Sequence, residues 1–274
     1  MSFEVVLLPR TWFRSSSPTL PQSLENLTKL INKSYDKPRL KYDVIQSPRI
    51  TSPQNFFKDL AVAPNDDICF FLLLGDRNTF ASLVVQAGFK RDFDDTNVAT
   101  SYSCDIPQQY RHYFDWETLQ DAKVTVAQTN WQFSGEMLSR CLGSLAFRSY
   151  HGPPVAHVAK RACQLELTAF TSYIKGGAPM FMNFVIDKIL TDPVYFPLVS
   201  SAQRELAKCD KIVLHGDCII EHDLLPYYTE VLEFVESDSD QLLVEIDENL
   251  YAAAIDVYAK RPFHLAFVYR VIEL

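Results

Sequence analysis

Glycine is scarce in this sequence of 274 residues, with only 8 present. It also lacks C-x-x-C pairs, long apolar runs and blocks of Lys or Arg. Each lack excludes something. The six cysteines stand at 69, 104, 141, 163, 209 and 218, and Cys69, Cys163 and Cys218 lie in apolar, strand-like surroundings. That pattern reads as reduced thiols in a reducing compartment, not a disulfide scaffold. The longest purely apolar run, residues 68–74, is far too short to cross a bilayer, so no membrane partner is expected. MSFEVVLLPR has no basic stretch ahead of its short apolar run, so no secretory signal is expected either. The expectation is a soluble, cytoplasmic protein, with access to the nucleus left open.

The formal charge is −8, without a basic run. Affinity for a polyanion comes largely from neutralising phosphates, so nucleic acid is not an expected partner. An acidic surface would suit a cationic amine, although solubility alone also accounts for it. Hydrophobic residues make up 47% of the chain and aromatics 13%, ample for a folded core. Oligomeric state is not legible.

Residues 3–8 read as a strand closed by Pro9. Leu24, Leu27, Leu30, Ile31 and Tyr35 recur at helical spacing until Pro38 ends the pattern. SPQNFFKDLAV (52–62) reads as a second helix. ICFFLLL (68–74) and TFASLVVQA (79–87) read as two strands joined by a GDRN turn. The stretch from about 91 to 160, ending at HGPPVAH, reads as an insertion within a single domain. Beyond it, RACQLELTAFTSYI reads as a strand with Leu165, Leu167 and Ala169 on one face, and MFMNFVIDKIL as a helix. SAQRELAKC (201–209) reads as a helix, KIVLHGDCII (211–220) as a strand, EHDLLPYYTEVLEF as a short helix and FHLAFVYRVIEL as a strand. Alternating strands and helices predict an α/β (α+β) fold: a mixed, mostly antiparallel central sheet flanked by helices.

One junction spends two of the few glycines. In SYIKGGAPMFMNF, Gly176 and Gly177 separate the strand from the helix, and Pro179 suits the first helical position. A tight turn explains this. So does a phosphate cradle, because a helix start offers free N–H groups and a positive dipole end, and glycine allows close approach. The Lys-Ser/Thr ending of a P-loop and the G-x-G-x-x-G fingerprint are both absent.

Tyr173-Ile-Lys-Gly176-Gly177-Ala178 resembles the R/Q-x-x-G-x-G/A loop of the GNAT acetyltransferase superfamily, with Tyr in place of Arg or Gln. LLPYYTEVLEF (224–234) is similar to that family's I-P-F-Y-E-K-L-G-F segment, with one extra residue and Glu233 where Gly is usual. The first strand and the LTKLINKSY helix are similar to its opening elements.

The resemblance implies an N-acetyltransferase that moves an acetyl group from acetyl-CoA to an amine acceptor, without a metal. It places the cofactor along Phe170, Thr171, Ser172, Tyr173, Lys175, Gly176, Gly177, Ala178, Met180 and Phe181. It implies Tyr228, with Tyr227 second, as the acid for the departing thiolate. Glu166 is the implied base, although its parity opposite to Leu165 and Leu167 would also suit a solvent-facing residue. The alternative is a catalytically silent relative that binds CoA or a protein partner.

HGDCIIEHD (215–223) gathers zinc-ligand residue types, but its spacing fits no H-E-x-x-H or finger pattern, and Asp or His there would serve equally as a helix cap. No G-x-S-x-G elbow supports a serine hydrolase. Tyr102, Tyr110, Tyr113, Phe114 and Trp116 would line a partner groove or build the core of the insertion.

Overall fold

A computed structural model describes residues 3–153, 155, 161–200, 209–239 and 241–274. The chain opens with β1 (Glu4–Leu8), the single turn α1 (Arg10–Phe13) and the long helix α2 (Leu20–Tyr42). Next come α3 (Phe56–Asp59), β2 (Ile68–Leu74) and α4 (Arg77–Ala87), then 3-10 turns and β3 (Lys123–Val126). α5 (Gly135–Arg140), β4 (Cys141–Ser149), β5 (Ala162–Ser172), α6 (Gly177–Val185), α7 (Phe196–Val199) and β6 (Lys211–Ile219) follow. Four short strands, β7 (Val235–Glu236), β8 (Leu242–Val244), β9 (Tyr251–Ala252) and β10 (Val257–Tyr258), precede the closing β11 (Phe263–Glu273).

The main sheet runs β3-β1-β2-β4-β5-β6-β11, with β7 and β8 both along the side of β11 away from β6. Among the described residues, only its β1–β3 and β5–β6 pairs are parallel. It is the mixed, mostly antiparallel sheet flanked by helices that the sequence predicts. β2 lies near its centre with every residue buried, which is why ICFFLLL is apolar on both faces. One face packs Phe71, Leu145, Leu165 and Leu214 against Phe181, Phe184 and Val185 of α6. The other packs Phe70, Leu72 and Ala146 against Leu27, Leu30 and Ile31 of α2. A small third cluster gathers Val44, Val244, Ala252, Ala259 and Phe263.

β5 serves both faces. Its register with β4 passes from Ala146↔Thr168 to Ser144↔Thr171, and Ala169 adopts a left-handed φ of 47°. That bulge reverses the alternation of side chains. Leu165 and Leu167 therefore join the α6 layer while Ala169 joins the α2 layer, correcting the single face expected from the sequence.

Other expectations also change. TFASLVVQA is a helix, because the Asp76 side chain accepts from the Thr79 amide at 2.9 Å and Gly88 closes the last turn at φ 62°. α2 continues through Pro38 to Tyr42, since Lys37 on one side donates to the Ser172 carbonyl at 2.9 Å and Arg39 on the other reaches Asp36 and the Gln46 carbonyl. SPQNFFKDLAV gives only a 3-10 turn and the four residues of α3. The stretch read as an insertion supplies β3 and the central strand β4. Residues 201–208, expected to be helical, and part of HGPPVAH lie outside the described residues.

Candidate functional site

β5 and β6 pair in parallel from Ala162↔Lys211 to Glu166↔His215 and then part. β5 stays with β4 as far as Ser172, and β6 stays with β11 as far as Ile219. The bulge at Ala169 falls in the part of β5 that leaves, and a bulge bends its strand. A gap therefore opens inside the sheet.

Polar side chains collect beside it. Glu166 sits opposite Arg148 on one side and His215 on the other. Arg148 donates to Glu166 and to the Ala61 carbonyl at 2.7 Å. His215 bonds Gln164 at 2.9 Å, and the Tyr150 ring lies flat on its imidazole, with centroids 3.6 Å apart and planes 1° from parallel. Gly152 makes that pose available: a β-carbon there would collide with the Tyr150 phenol. Arg49 reaches Thr168 at 3.4 Å, and His151 bonds Asp66 at 2.8 Å.

Burial raises the Glu166 carboxyl, with Arg148 opposing. Asp217 is pushed up to about 6, first by loss of solvation and then by the nearby Glu166 charge. Yet Asp217 is solvent-exposed. The exposed side chain stands where β5 leaves β6, with Glu166 near enough for its charge to act on it. Burial lowers His215 to about 4, leaving it neutral near pH 7.

From the other face, a π-type turn at Tyr227–Val231 presents Tyr228. A ring carbon of Tyr228 lies 3.5 Å from where a Gly216 β-carbon would be, and its ring meets Phe234 edge-on at 5.4 Å. Its phenol interacts electrostatically with Tyr35 of α2, across the sheet, and with Asp217. Burial keeps it protonated, and it has no hydrogen-bond partner among the described residues. Tyr227 packs against the α6-side core. The structure thus brings Glu166 and Tyr228 to one gap. It adds Asp217, His215, Arg148 and Tyr150, which the sequence did not group. HGDCIIEHD disperses: His215 and Asp217 go to the gap, Glu221 bonds His264, and His222 stacks on Tyr42.

The glycine junction lies elsewhere and is mostly packing. Gly176 takes a left-handed φ of 82° with open space beside it. Gly177 is buried, and its amide donates to the Ile174 carbonyl at 3.1 Å. A β-carbon on Gly177 would lie 2.5 Å from Trp116. Pro179 occupies the third helical position rather than the first. Tyr173 is fully buried with its hydroxyl on the Leu30 carbonyl, and Phe181 and Ala178 are buried in the core region. Thr171 receives the Ser144 amide at 2.9 Å, and Ser172 donates to the Ile174 carbonyl at 2.9 Å. Phe170 packs against the α6-side core, and only Lys175, Gly176 and Met180 are exposed.

A family model described as "Sporulation protein RMD6" matches residues 1–272. The chain belongs to the RMD6 sporulation protein family. It is 28% identical over 243 residues to Sporulation protein RMD6 of Saccharomyces cerevisiae (strain ATCC 204508 / S288c), covering 88% of this chain and 84% of that relative. Membership of the RMD6 family over nearly the whole chain overturns the GNAT resemblance. The N-acetyltransferase assignment and the silent CoA-binding alternative go with it, and so does the reason for expecting acetyl-CoA. The short motifs behind that resemblance have local causes: Gly177 makes room for Trp116, Tyr173 anchors α2, and Glu233 holds a left-handed turn at φ 60° while pairing with Arg270.

Proposed function

We propose that the chain serves in spore formation, as the name of its yeast relative says of that protein, and that it does so by binding a ligand in the gap between β5 and β6. The observation that carries the site is Asp217, solvent-reachable yet held at about 6 beside Glu166. Arg148 already neutralises Glu166, so Asp217 is the carboxylate left to exchange a proton or accept from a ligand's donor group. Tyr228 faces the same gap, and its hydroxyl has no hydrogen-bond partner among the described residues. A perturbed carboxylate beside a second one, where a sheet parts, favours a functional site over a structural one.

The test is genetic and has two arms. Deleting the gene in its own host should reduce spore yield. Asp217→Asn, expressed at the same level, should reproduce that loss. Normal sporulation of the deletion would overturn the role, and normal sporulation of Asp217→Asn alone would overturn the site.

A further inference from the structure

Charge is unevenly spread along this chain. Residues 212–259 contain no Lys or Arg and 12 Asp or Glu, so the remainder carries a net positive charge. Much of this segment builds one border of the sheet. β7 and β8 lie end to end along β11, and their own outer edge pairs with no strand among the described residues. Large apolar side chains stand exposed along it: Val235 at 53%, Leu242 at 44% and Leu243 at 45%. Among the described residues no cation pairs with the exposed Glu230, Glu236, Glu245 or Glu248 flanking them.

An open strand edge offers unpaired main-chain N–H and C=O groups, the template for strand addition. The exposed apolar side chains supply anchoring surface, and the charge selects what docks. A nucleic acid, an anionic lipid surface or a second copy of the same acidic edge would all meet like charge. We infer that the β7–β8 edge is a docking surface for a Lys/Arg-rich polypeptide segment, which adds to the sheet as a further strand. This surface is independent of the gap between β5 and β6.

The probe is a short fluorescent peptide of alternating Lys and Val, titrated against the full chain and read by anisotropy. Its controls are a Glu-Val peptide and a Lys-Val peptide N-methylated at alternate amides, which keeps charge but cannot pair. The Lys-Val peptide should bind and slow hydrogen exchange at residues 242–244, and the Glu-Val peptide should not. N-methylation should weaken binding by about tenfold or more, a change of about 1.4 kcal/mol. Replacing Glu230, Glu236, Glu245 and Glu248 together by Gln should weaken it comparably and flatten its salt dependence. Unchanged melting of that variant, whose altered residues are all exposed, keeps a loss of binding interpretable. No binding of the Lys-Val peptide, equal binding of the methylated peptide, or full binding by the Gln variant would each overturn the inference.

Discussion

The indole of Trp116 lies 2.5 Å from where a β-carbon on Gly177 would be, and it is held there by stacking on Phe3 with centroids 5.2 Å apart. Overpacking of this kind costs about 1–3 kcal/mol, so Gly177→Ala should lower the melting temperature markedly. Trp116→Leu in the same chain should recover part of that loss, a non-additivity a double-mutant cycle would measure. Gly176→Ala meets open space and should cost only its left-handed backbone, about 1–2 kcal/mol, with no rescue from Trp116→Leu. Equal rescue of both variants would show that Trp116 is not the obstacle.

Asp217 predicts a pH signature. Its folded pKa of about 6 lies above the ordinary carboxylate value, so its protonated form stabilises the fold below about pH 4. That contribution is lost as pH rises through about 6. Asp217→Asn should therefore melt higher than wild type at pH 7.5, by about 1 kcal/mol once solvent exposure is allowed for, and like wild type at pH 4. Paired thermal melts across that window check it, and an equal gain at both ends would deny the raised pKa.

Arg148 and Glu166 are mostly buried together, with side chains 14% and 13% exposed. Removing only the cation leaves a desolvated carboxylate, so Arg148→Met should destabilise by about 2–4 kcal/mol at neutral pH and by less in acid. Adding Glu166→Gln should return most of that loss. A double variant no better than Arg148→Met would assign the cost to the bond from Arg148 to the Ala61 carbonyl.

α4 depends on its ends, since only Phe80 and Leu83 are buried along it. Asp76→Ala should cost about 1 kcal/mol through the lost cap, and Gly88→Ala a similar amount through its positive φ. Hydrogen exchange at residues 80–87 should quicken in both variants. Unaltered exchange would mean that Phe80 and Leu83 alone hold the helix.

β1, β5, β6, β11, α6 and most of α2 were legible because their apolar spacing is long enough to show a period. α4 was not: Thr79, Val84 and Val85 look like a strand, and the capping Asp76 looks like part of a turn. β4 hid because a strand paired on both sides needs no alternation, and its Gly143 answers to a neighbour, with the Thr171 carbonyl 2.7 Å from where a β-carbon would be. Within the site, Glu166 and Tyr228 were singled out only through a family resemblance that does not hold, so no physical reason in the sequence itself grouped them. Asp217 could not be placed with them, because its partner Glu166 lies on a neighbouring strand that pairs with β6 only up to His215.

The bulge at Ala169 sets a phase within β5: Leu165 and Leu167 before it face the α6 layer, whereas Ala169 and Tyr173, of the same parity, face the α2 layer. Substitutions in this strand change only what occupies a slot, but gaining or losing one residue between Glu166 and Tyr173 shifts the frame. Such a change would turn Tyr173 away from α2 and move the point where β5 departs from β6. The strand can accordingly drift in composition far more freely than in length.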